Sequence, residues 1–251
     1  MDTDTADRLL DINRQFYQTF ALQFSQTRQR LQPGARRIIQ NIPKDAAILD
    51  LGCGNGELWR GLAGEGYKGR YIGIDSSQGL LDIAAEKIPD IYQLKPIFFR
   101  ADLASSNWQD ELRNYPRPFG WLADFDFILA FAVLHHLPGR DLRLQILRNI
   151  HQLLTSDGCF IHSEWLFLNS AKFRSRLQPW SRVGLRENQI DEGDYLLDWR
   201  HGGSGLRYVH QFEPIELDKL AAESNFQILE SFTSDGEGGN LGIYQIWTAV
   251  K

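Results

Sequence analysis

A glycine-rich turn after a short apolar strand is the feature that most constrains the fold of this chain. Residues 48–56 read ILDLGCGNG, with glycines at three alternate positions: Gly52, Gly54 and Gly56. Glycines at this spacing let the backbone turn with positive φ and let a ligand approach without Cβ clashes. A second apolar strand, residues 71–74, is followed by Asp75. In a βαβ unit, an acid at this position faces a ligand held at the end of the first strand and can accept hydrogen bonds from both ribose hydroxyls.

The spacing of the glycines also bears on the kind of ligand. Dinucleotide-binding folds carry G-x-G-x-x-G, in which the third glycine packs a helix against a strand. Here the run is G-x-G-x-G, followed directly by Glu57, whose charge would repel phosphates. The pattern therefore favours a nucleoside with a charged amino-acid tail over a pyrophosphate. A dinucleotide site and a purely structural turn are the alternatives.

A second acidic residue adds to the nucleoside interpretation. Asp102 follows an apolar strand predicted at residues 97–100. A carboxylate there, beside the backbone N–H of Leu103, could meet the exocyclic amine and a ring nitrogen of an adenine. The alternative is that Asp102 caps its own loop.

Length and composition exclude several other classes of protein. A chain of 251 residues with 43% hydrophobic content can bury one large α/β core and carry a small insertion. The longest apolar run, residues 127–134, has eight residues and is too short to span a membrane, and the acidic N-terminus does not read as a secretory signal. Two cysteines, Cys53 and Cys159, are too few for a disulfide framework or a metal cluster, which is typical of the reducing cytoplasm.

The charge balance bears on possible partners. The net charge is −5, from 27 basic and 32 acidic residues, which argues mildly against a nucleic-acid substrate such as tRNA. Residues 172–207 carry a weak basic excess, seven basic residues against five acidic ones. A solvated surface explains that excess equally well.

Apolar strands alternate with helical segments along most of the chain, which predicts an α/β fold with a doubly wound parallel sheet. We expect a single domain in four parts: N-terminal helices in residues 1–42, a cofactor-binding core in 43–165, a lid insertion in 166–212, and a closing helix and strands in 213–251. Within these parts we predict a helix at 7–32, a loop at 104–122, a turn at 155–158 before a strand at 159–163, and an antiparallel hairpin of strands 226–232 and 241–249.

The end of the predicted fourth strand, Ala130 and Phe131, lies at the sheet edge where α/β proteins bind ligands. His135 and His136 follow it. Adjacent residues cannot both face one spot, and no third Cys or His lies at zinc-ligand spacing, so we predict no metal site. We expect one histidine, first His135, to face the cofactor or substrate, and the other to form local hydrogen bonds.

The motifs LDLGCGNG, IGIDSS, AVLHHLP and RDLRLQILRNIHQLL, in this order, resemble those of class I methyltransferases, which bind S-adenosylmethionine. The resemblance implies a seven-stranded Rossmann-like sheet with an antiparallel last strand. It also implies a cofactor site made of Arg28, Asp50, Gly52, Cys53, Gly54, Gly56, Asp75, Ser76, Asp102, Leu103, Ala130 and Phe131.

A narrower resemblance covers nearly the whole chain. Segments at 16–28, 193–199 (GDYLLDW) and 206–212 (LRYVHQF) are similar to those of the wobble-uridine tRNA carboxyl methyltransferases, which occur alone or fused to an AlkB-type hydroxylase. Members of that family convert a carboxymethyl group on uridine 34 of tRNA to its methyl ester. The resemblance implies that Arg28 lies over the methionine end of the cofactor. It places a second set of residues, with His135, at the acceptor: Asp194, Arg207, Tyr208 and His210. A small activator protein is a further implied partner.

The chemistry of methyl transfer indicates what such a site needs. The methyl group of a sulfonium is already activated, so the enzyme mainly aligns the reactants, and a base is needed only if the acceptor must lose a proton. A carboxylate is already ionised at neutral pH and needs a fixed cation instead, for which a bidentate arginine is suited. We expect Arg207, and after it Arg28, to take this role.

Two other functions are compatible with the sequence. The first is a small-molecule methyltransferase whose aromatic lid, with Trp165, Trp180 and Trp199, closes over an apolar metabolite. The second is a protein that binds the cofactor but is inactive and stabilises a partner enzyme.

Overall fold

The computed structural model describes residues 1–89, 95–114 and 125–250. Its strands are β1 (Ile48–Leu51), β2 (Tyr71–Asp75), β3 (Ile97–Arg100), β4 (Phe125–Phe131), β5 (Leu154–Trp165), β6 (Leu177–Gln178), β7 (Asp194–Trp199), β8 (Gly205–His210), β9 (Phe226–Ser234) and β10 (Gly242–Ala249). Its helices are α1 (Thr3–Gln26), α2 (Pro33–Ile39), α3 (Glu57–Gly64), α4 (Gln78–Glu86), α5 (Trp108–Asn114), α6 (Arg140–Leu153), α7 (Ala171–Arg174) and α8 (Pro214–Glu223). In this described part of the chain, no helix is long and apolar enough to cross a membrane.

Seven strands form the main sheet, in the order β3-β2-β1-β4-β5-β10-β9. The first five strands of this order are parallel, whereas β10 pairs antiparallel with both β5 and β9. This confirms the predicted doubly wound α/β sheet with its antiparallel closing strands. The strand order reverses between β1 and β4, and the crevice at the carboxyl ends of these strands is where open α/β sheets bind ligands.

The core lies on both faces of this sheet. Leu49 and Leu51 of β1 pack into one apolar cluster with α6 and α8, while Ile48 packs into another with α2 and α3. Side chains alternate across a strand, so one short apolar strand contributes to both layers. All four residues of β1 are buried, which fixes the position of the glycine turn that follows.

Several predicted boundaries need correction. The segment 104–122, predicted as a loop, contains α5, and its residues 115–122 lie outside the described part. The predicted turn at 155–158 belongs to β5: Leu154 pairs with Phe125 and Cys159 with Phe127, so the four residues between them form a bulge. The first helix begins at Thr3, because the Asp2 side chain caps it by accepting from the Thr5 N–H, and ends at Gln26 instead of residue 32.

The segment 166–212, which we call the lid segment, contains a small antiparallel sheet in the order β6-β7-β8. Helix α1 packs against β8 through Asn13. The side-chain amide of Asn13 donates to the Tyr208 carbonyl at 3.1 Å, and its oxygen accepts from the Tyr208 N–H at 2.8 Å. The first helix is therefore fastened to the lid segment by a pair of buried hydrogen bonds.

Candidate active site

A cavity of about 400 Å³ opens at the carboxyl ends of β1, β2 and β4. The glycine turn forms its floor, and side chains of α1, including Tyr17, form one wall. Glu164 and Trp165, at the end of β5, and Arg207 of β8 complete it. The cavity thus lies at the reversal of strand order and is enclosed by parts of the chain far apart in sequence.

The glycines of the turn serve different purposes. Gly54 has a φ of 54°, and a Cβ placed there would meet no atom within 4 Å, so the space before it is open to a ligand. Gly56 has a φ of 73°, and a Cβ there would lie 3.0 Å from Ala84 and 3.1 Å from Phe98. Gly54 therefore shapes the cavity, whereas Gly56 allows α3 and α4 to pack closely.

The Asp75 carboxylate is fixed at the end of β2. Its Oδ2 accepts from the Gly54 N–H at 2.9 Å, and its Oδ1 accepts from the Ser77 N–H at 2.8 Å. Each oxygen keeps a free lone pair, so the carboxylate can accept from two ligand hydroxyls as well. Burial raises the pKa of Asp75, and the two backbone N–H groups oppose that rise.

Asp50 lies deeper, on the floor of the cavity. Its carboxyl is buried and accepts a hydrogen bond from the Tyr71 hydroxyl. Burial raises the pKa of Asp50 to about 8, and the charge of Asp75 adds to the rise. Asp50 is therefore mainly in its acid form at neutral pH.

Asp102 lines the cavity near its rim and is also bonded within the protein. Its Oδ1 accepts from the Ala104 N–H at 3.0 Å, which is the loop cap considered above. Its Oδ2 accepts from Arg14 Nε at 3.0 Å. The predicted contact with an adenine stays a prediction, and Arg14, on α1, is a cavity residue that the sequence analysis missed.

Arg28 lies at the mouth of the cavity just beyond α1. Its guanidinium stacks over the Phe24 ring, 5.1 Å from the ring centre. The Asn55 amide, in the glycine turn, donates to the Arg28 carbonyl and to Ser25 Oγ, both at 2.9 Å. The turn therefore positions the end of α1 directly, which links two segments that carry the family resemblance.

The two adjacent histidines are held differently. His135 is buried, and its Nδ1 lies 2.9 Å from Glu164 Oε2. His136 donates from Nδ1 to the Tyr208 carbonyl at 3.2 Å, and its Nε2 lies 2.9 Å from the Tyr17 hydroxyl. Both line the cavity, and the bonds of His136 reach distant segments instead of the local ones we expected.

Arg207 is a buried cation that has no anionic partner within the described part of the chain. Its guanidinium carbon lies 4.8 Å from the ring centre of Trp165, 5.6 Å from Phe16 and 5.7 Å from Trp199. Among the described residues no ion pair includes Arg207, and its Nε has no hydrogen-bond partner. Burial lowers the pKa of Arg207 to about 10, while the nearby Tyr17 acts in the opposite direction. Buried charges are usually paired, so this aromatic pocket is suited to an anionic ligand.

The other predicted acceptor residues form a separate network behind this wall. The Tyr208 hydroxyl donates to Asp194 Oδ1 at 2.7 Å and accepts from Arg143 at 3.2 Å. His210 lies between Asp194 Oδ1, at 2.6 Å from Nδ1, and Glu216 Oε2, at 2.9 Å from Nε2. None of Asp194, Tyr208 and His210 lines the described cavity. A direct role for them stays a prediction, and their placement favours an indirect one.

The predicted cofactor residues mostly come together. Gly56 and Ala130 contribute to packing and do not line the described cavity. The others all line it: Arg28, Asp50, Gly52, Cys53, Gly54, Asp75, Ser76, Asp102, Leu103 and Phe131. Glu164, Arg14 and Tyr17 were missed. A polar residue at the carboxyl end of β5 was a usable signal for Glu164. Tyr17 lies in the segment 16–28 that carries the family resemblance, but no role was assigned to it, and no pattern indicated Arg14.

These residues fit S-adenosylmethionine. The open space before Gly54 accommodates a ligand against the backbone, and Asp75 offers two acceptors to a ribose. The fold and the site thus define an S-adenosylmethionine-dependent methyltransferase.

Comparison with known proteins agrees with this class. A methyltransferase domain family matches residues 49–160. The trans-aconitate 2-methyltransferase of Azoarcus sp. is 30% identical, over 74% of this chain and 78% of its own length. The tRNA (carboxymethyluridine(34)-5-O)-methyltransferase of Schizosaccharomyces pombe is 27% identical, over 86% of this chain and 89% of its own. The chain belongs to the S-adenosylmethionine-dependent methyltransferases.

The fold has close counterparts among solved structures. An S-adenosylmethionine-dependent methyltransferase from Methanosarcina mazei superposes with a TM-score of 0.63 and 22% identity, over 88% of this chain and all of that one. At this identity the likeness concerns the fold alone.

Proposed function

We propose that this methyltransferase esterifies a carboxylate, and that the carboxylate belongs to a modified wobble uridine of tRNA. The observation that carries the proposal is Arg207, a buried guanidinium at the cavity with no carboxylate partner among the described residues. An acceptor carboxylate would supply the missing anion and could form two parallel hydrogen bonds with the guanidinium.

The proposed reaction needs little acid–base catalysis by the protein. S-adenosylmethionine, held by the glycine turn and Asp75, supplies an activated methyl group. An acceptor carboxylate reacts through an oxygen that carries no proton, so no base is needed. The negative charge of the acceptor is lost as the ester forms. Arg207 therefore mainly binds and aligns the acceptor, and its removal is expected to raise KM more than it lowers kcat.

The names of two relatives, which act on different kinds of molecule, both support a carboxylate acceptor. One is named for carboxymethyluridine in tRNA and the other for trans-aconitate. They differ in whether the acceptor is RNA or a small molecule, and both names denote a compound with a carboxyl group. Carboxylate methylation is thus supported independently of the choice between the two.

A groove beside the cavity offers basic residues to tRNA phosphates, although the net charge of the chain is negative. Arg28 and Arg30 lie at the mouth, and Arg30 also lines an adjoining groove with Arg36, Arg60 and Lys87. Glu57 and Glu65 line the same groove, and Arg60 pairs with Glu57 at 2.6 Å, so the basic excess is moderate. Phosphates of a bound tRNA could follow this groove towards the cavity.

The deciding experiment measures transfer of labelled methyl groups to total tRNA, followed by mild alkali. Alkali-labile label on tRNA is the result expected for a methyl ester. Trans-aconitate in a parallel assay tests the small-molecule alternative, and a tRNA arm with an added activator protein tests for that partner. A protein that binds S-adenosylmethionine by calorimetry and labels none of these acceptors would support the inactive-partner alternative instead.

A further inference from the structure

A buried chain of polar side chains lies directly against the cavity. It joins His162 and Glu164 of β5 to His135, and all three are buried. Glu164 Oε1 lies 3.0 Å from His162 Nδ1, and Glu164 Oε2 lies 2.9 Å from His135 Nδ1. The positions of the protons in this chain decide whether His135 offers a ligand a hydrogen-bond donor or an acceptor.

The proton of His162 can be placed first. Its Nε2 is sealed in the protein and has no hydrogen-bond partner among the described residues. A buried N–H without a partner costs the full desolvation of that group, so the proton belongs on Nδ1. Burial also lowers the pKa of His162 to about 3, so the ring carries only this one proton. His162 Nδ1–H therefore donates to Glu164 Oε1.

The second carboxyl oxygen of Glu164, Oε2, lies close to both the ring and the backbone N–H of His135. The Trp165 backbone N–H, which can only donate, points at His135 Nδ1 from 3.4 Å, and so Nδ1 presents its lone pair. The 2.9 Å contact between Nδ1 and Glu164 Oε2 is then a hydrogen bond only if Oε2 carries a proton. Oε2 also accepts from the His135 backbone N–H at 3.0 Å. A neutral Glu164 therefore donates from Oε2 to His135 Nδ1, and the longer contact from the Trp165 N–H shares the single lone pair of that nitrogen.

The electrostatics of the site agree with this arrangement. Burial raises the pKa of Glu164 well above its usual range. Burial lowers the pKa of His135 well below its usual range, and the nearby charges of Arg207 and Arg143 lower it further. A neutral acid beside a neutral imidazole is therefore favoured over an ion pair. The single ring proton of His135 is left on Nε2.

That nitrogen is free for a ligand. His135 Nε2 has no partner among the described residues, and it is not sealed as His162 Nε2 is. We propose that Glu164, a positioning residue, holds His135 with its proton on Nε2, so that His135 donates a hydrogen bond to the acceptor carboxylate instead of serving as a base. The role towards a carboxylate rests on the proposed function, whereas the tautomer does not.

The tautomer can be measured on the protein alone. Long-range ¹H–¹⁵N NMR of protein labelled in its histidine rings distinguishes a protonated from an unprotonated ring nitrogen, and His135→Gln assigns the signals by their loss. We expect a protonated Nε2 and an unprotonated Nδ1 for His135 between pH 6 and pH 8. A protonated Nδ1 would overturn the proposal, whatever the acceptor proves to be.

Two substitutions of Glu164 provide the second test. In Glu164→Gln the amide can donate to His135 Nδ1 and accept from His162, and it loses only the bond from the His135 backbone N–H. We therefore expect the Nε2–H tautomer and a kcat/KM within about tenfold of wild type. Glu164→Ala removes both bonds, and we expect His135 to show a mixture of tautomers and a larger loss. If Glu164 were instead the carboxylate partner of a basic histidine, Glu164→Gln would lose about 10²-fold or more, and the proposal would be wrong. Failure to label tRNA would count against the proposed function and leave the tautomer result standing.

Discussion

The Tyr17 hydroxyl donates a hydrogen bond to Nε2 of His136 across 2.9 Å. The direction is fixed because His136 Nδ1 faces the Tyr208 carbonyl, which can only accept, so Nδ1 carries the ring proton. This bond joins α1 to the segment that follows β4. It makes the first helix part of the cavity wall, on the side where Arg207 lies.

Tyr17→Phe should therefore weaken the attachment of α1. Removing a partner of one buried hydrogen bond costs about 1–3 kcal/mol, so we expect a measurable fall in the free energy of unfolding by urea denaturation. Tyr195→Phe is the matched control, since the Tyr195 hydroxyl makes no hydrogen bond among the described residues and its loss should change little. Equal effects of the two substitutions would contradict the importance of the Tyr17 bond.

Arg207→Ala should impair use of the acceptor and spare the cofactor. Hydrogen bonds to charged groups contribute about 1.5–3 kcal/mol, so we expect kcat/KM for the acceptor to fall roughly 10- to 100-fold, mainly through KM. The Kd of S-adenosylmethionine, measured by calorimetry, should stay within about twofold. Arg200→Ala is the control, because Arg200 is exposed and pairs with Asp198. Loss of cofactor binding in Arg207→Ala would show that the assigned role is wrong.

Asp75→Ala, in contrast to Arg207→Ala, should mainly weaken the binding of the cofactor. It removes the acceptors proposed for the ribose and the bonds to Gly54 and Ser77. We expect the Kd of S-adenosylmethionine to rise roughly 100-fold or more, with some loss of thermal stability. Asp82→Ala, a change at an exposed residue bonded to Gln78, serves as the control. Unchanged cofactor affinity in Asp75→Ala would refute the placement of the ribose.

Substitutions in the basic groove that Arg30, Arg36, Arg60 and Lys87 line should weaken the binding of tRNA and leave the binding of other ligands unchanged. Arg36→Ala and Lys87→Ala are each expected to raise the KM for tRNA and to reduce its dependence on salt, by about 0.7–0.9 in the slope of log affinity against log salt per lost phosphate contact. Lys44→Ala is the control, because Lys44 is exposed and precedes β1, at the amino ends of the strands and away from the groove. If all three variants behave alike, tRNA does not bind along this groove.

Asp50 should make stability depend on pH. Its folded pKa, about 8, lies above the unfolded value, so the folded state binds the extra proton and stability falls as pH rises from about 4 to 8. The slope from this one group is at most about 1.4 kcal/mol per pH unit. Asp50→Asn keeps an acceptor for Tyr71 without the titration. Urea unfolding should be measured for both proteins at several pH values. We expect the difference between their free energies of unfolding to shrink towards acid pH, and a difference that does not change with pH would contradict the raised pKa of Asp50.

The sequence was sufficient for the main sheet because its central strands β1, β2 and β4 are short apolar runs that are largely buried. It was less informative at β8, where it grouped Arg207, Tyr208 and His210 at the acceptor. Side chains alternate along a strand, so Arg207 faces the cavity while Tyr208 and His210 bond to Asp194 behind it. Tyr17 and Arg14 could not be predicted, because their roles depend on where α1 docks. Only tertiary packing determines that position.

The hydrogen bonds between Asn13 and Tyr208 connect residues that are 195 positions apart. During translation, α1 leaves the ribosome long before its partner strand β8 has been made. The cavity therefore gains its α1 wall only when most of the chain has been synthesised. A nascent chain that already contains the glycine turn and Asp75 still lacks both Arg207 and the contact that fastens α1. During synthesis, this side of the cavity can therefore form only after β8 has been made, and a chain truncated before β8 would lack it.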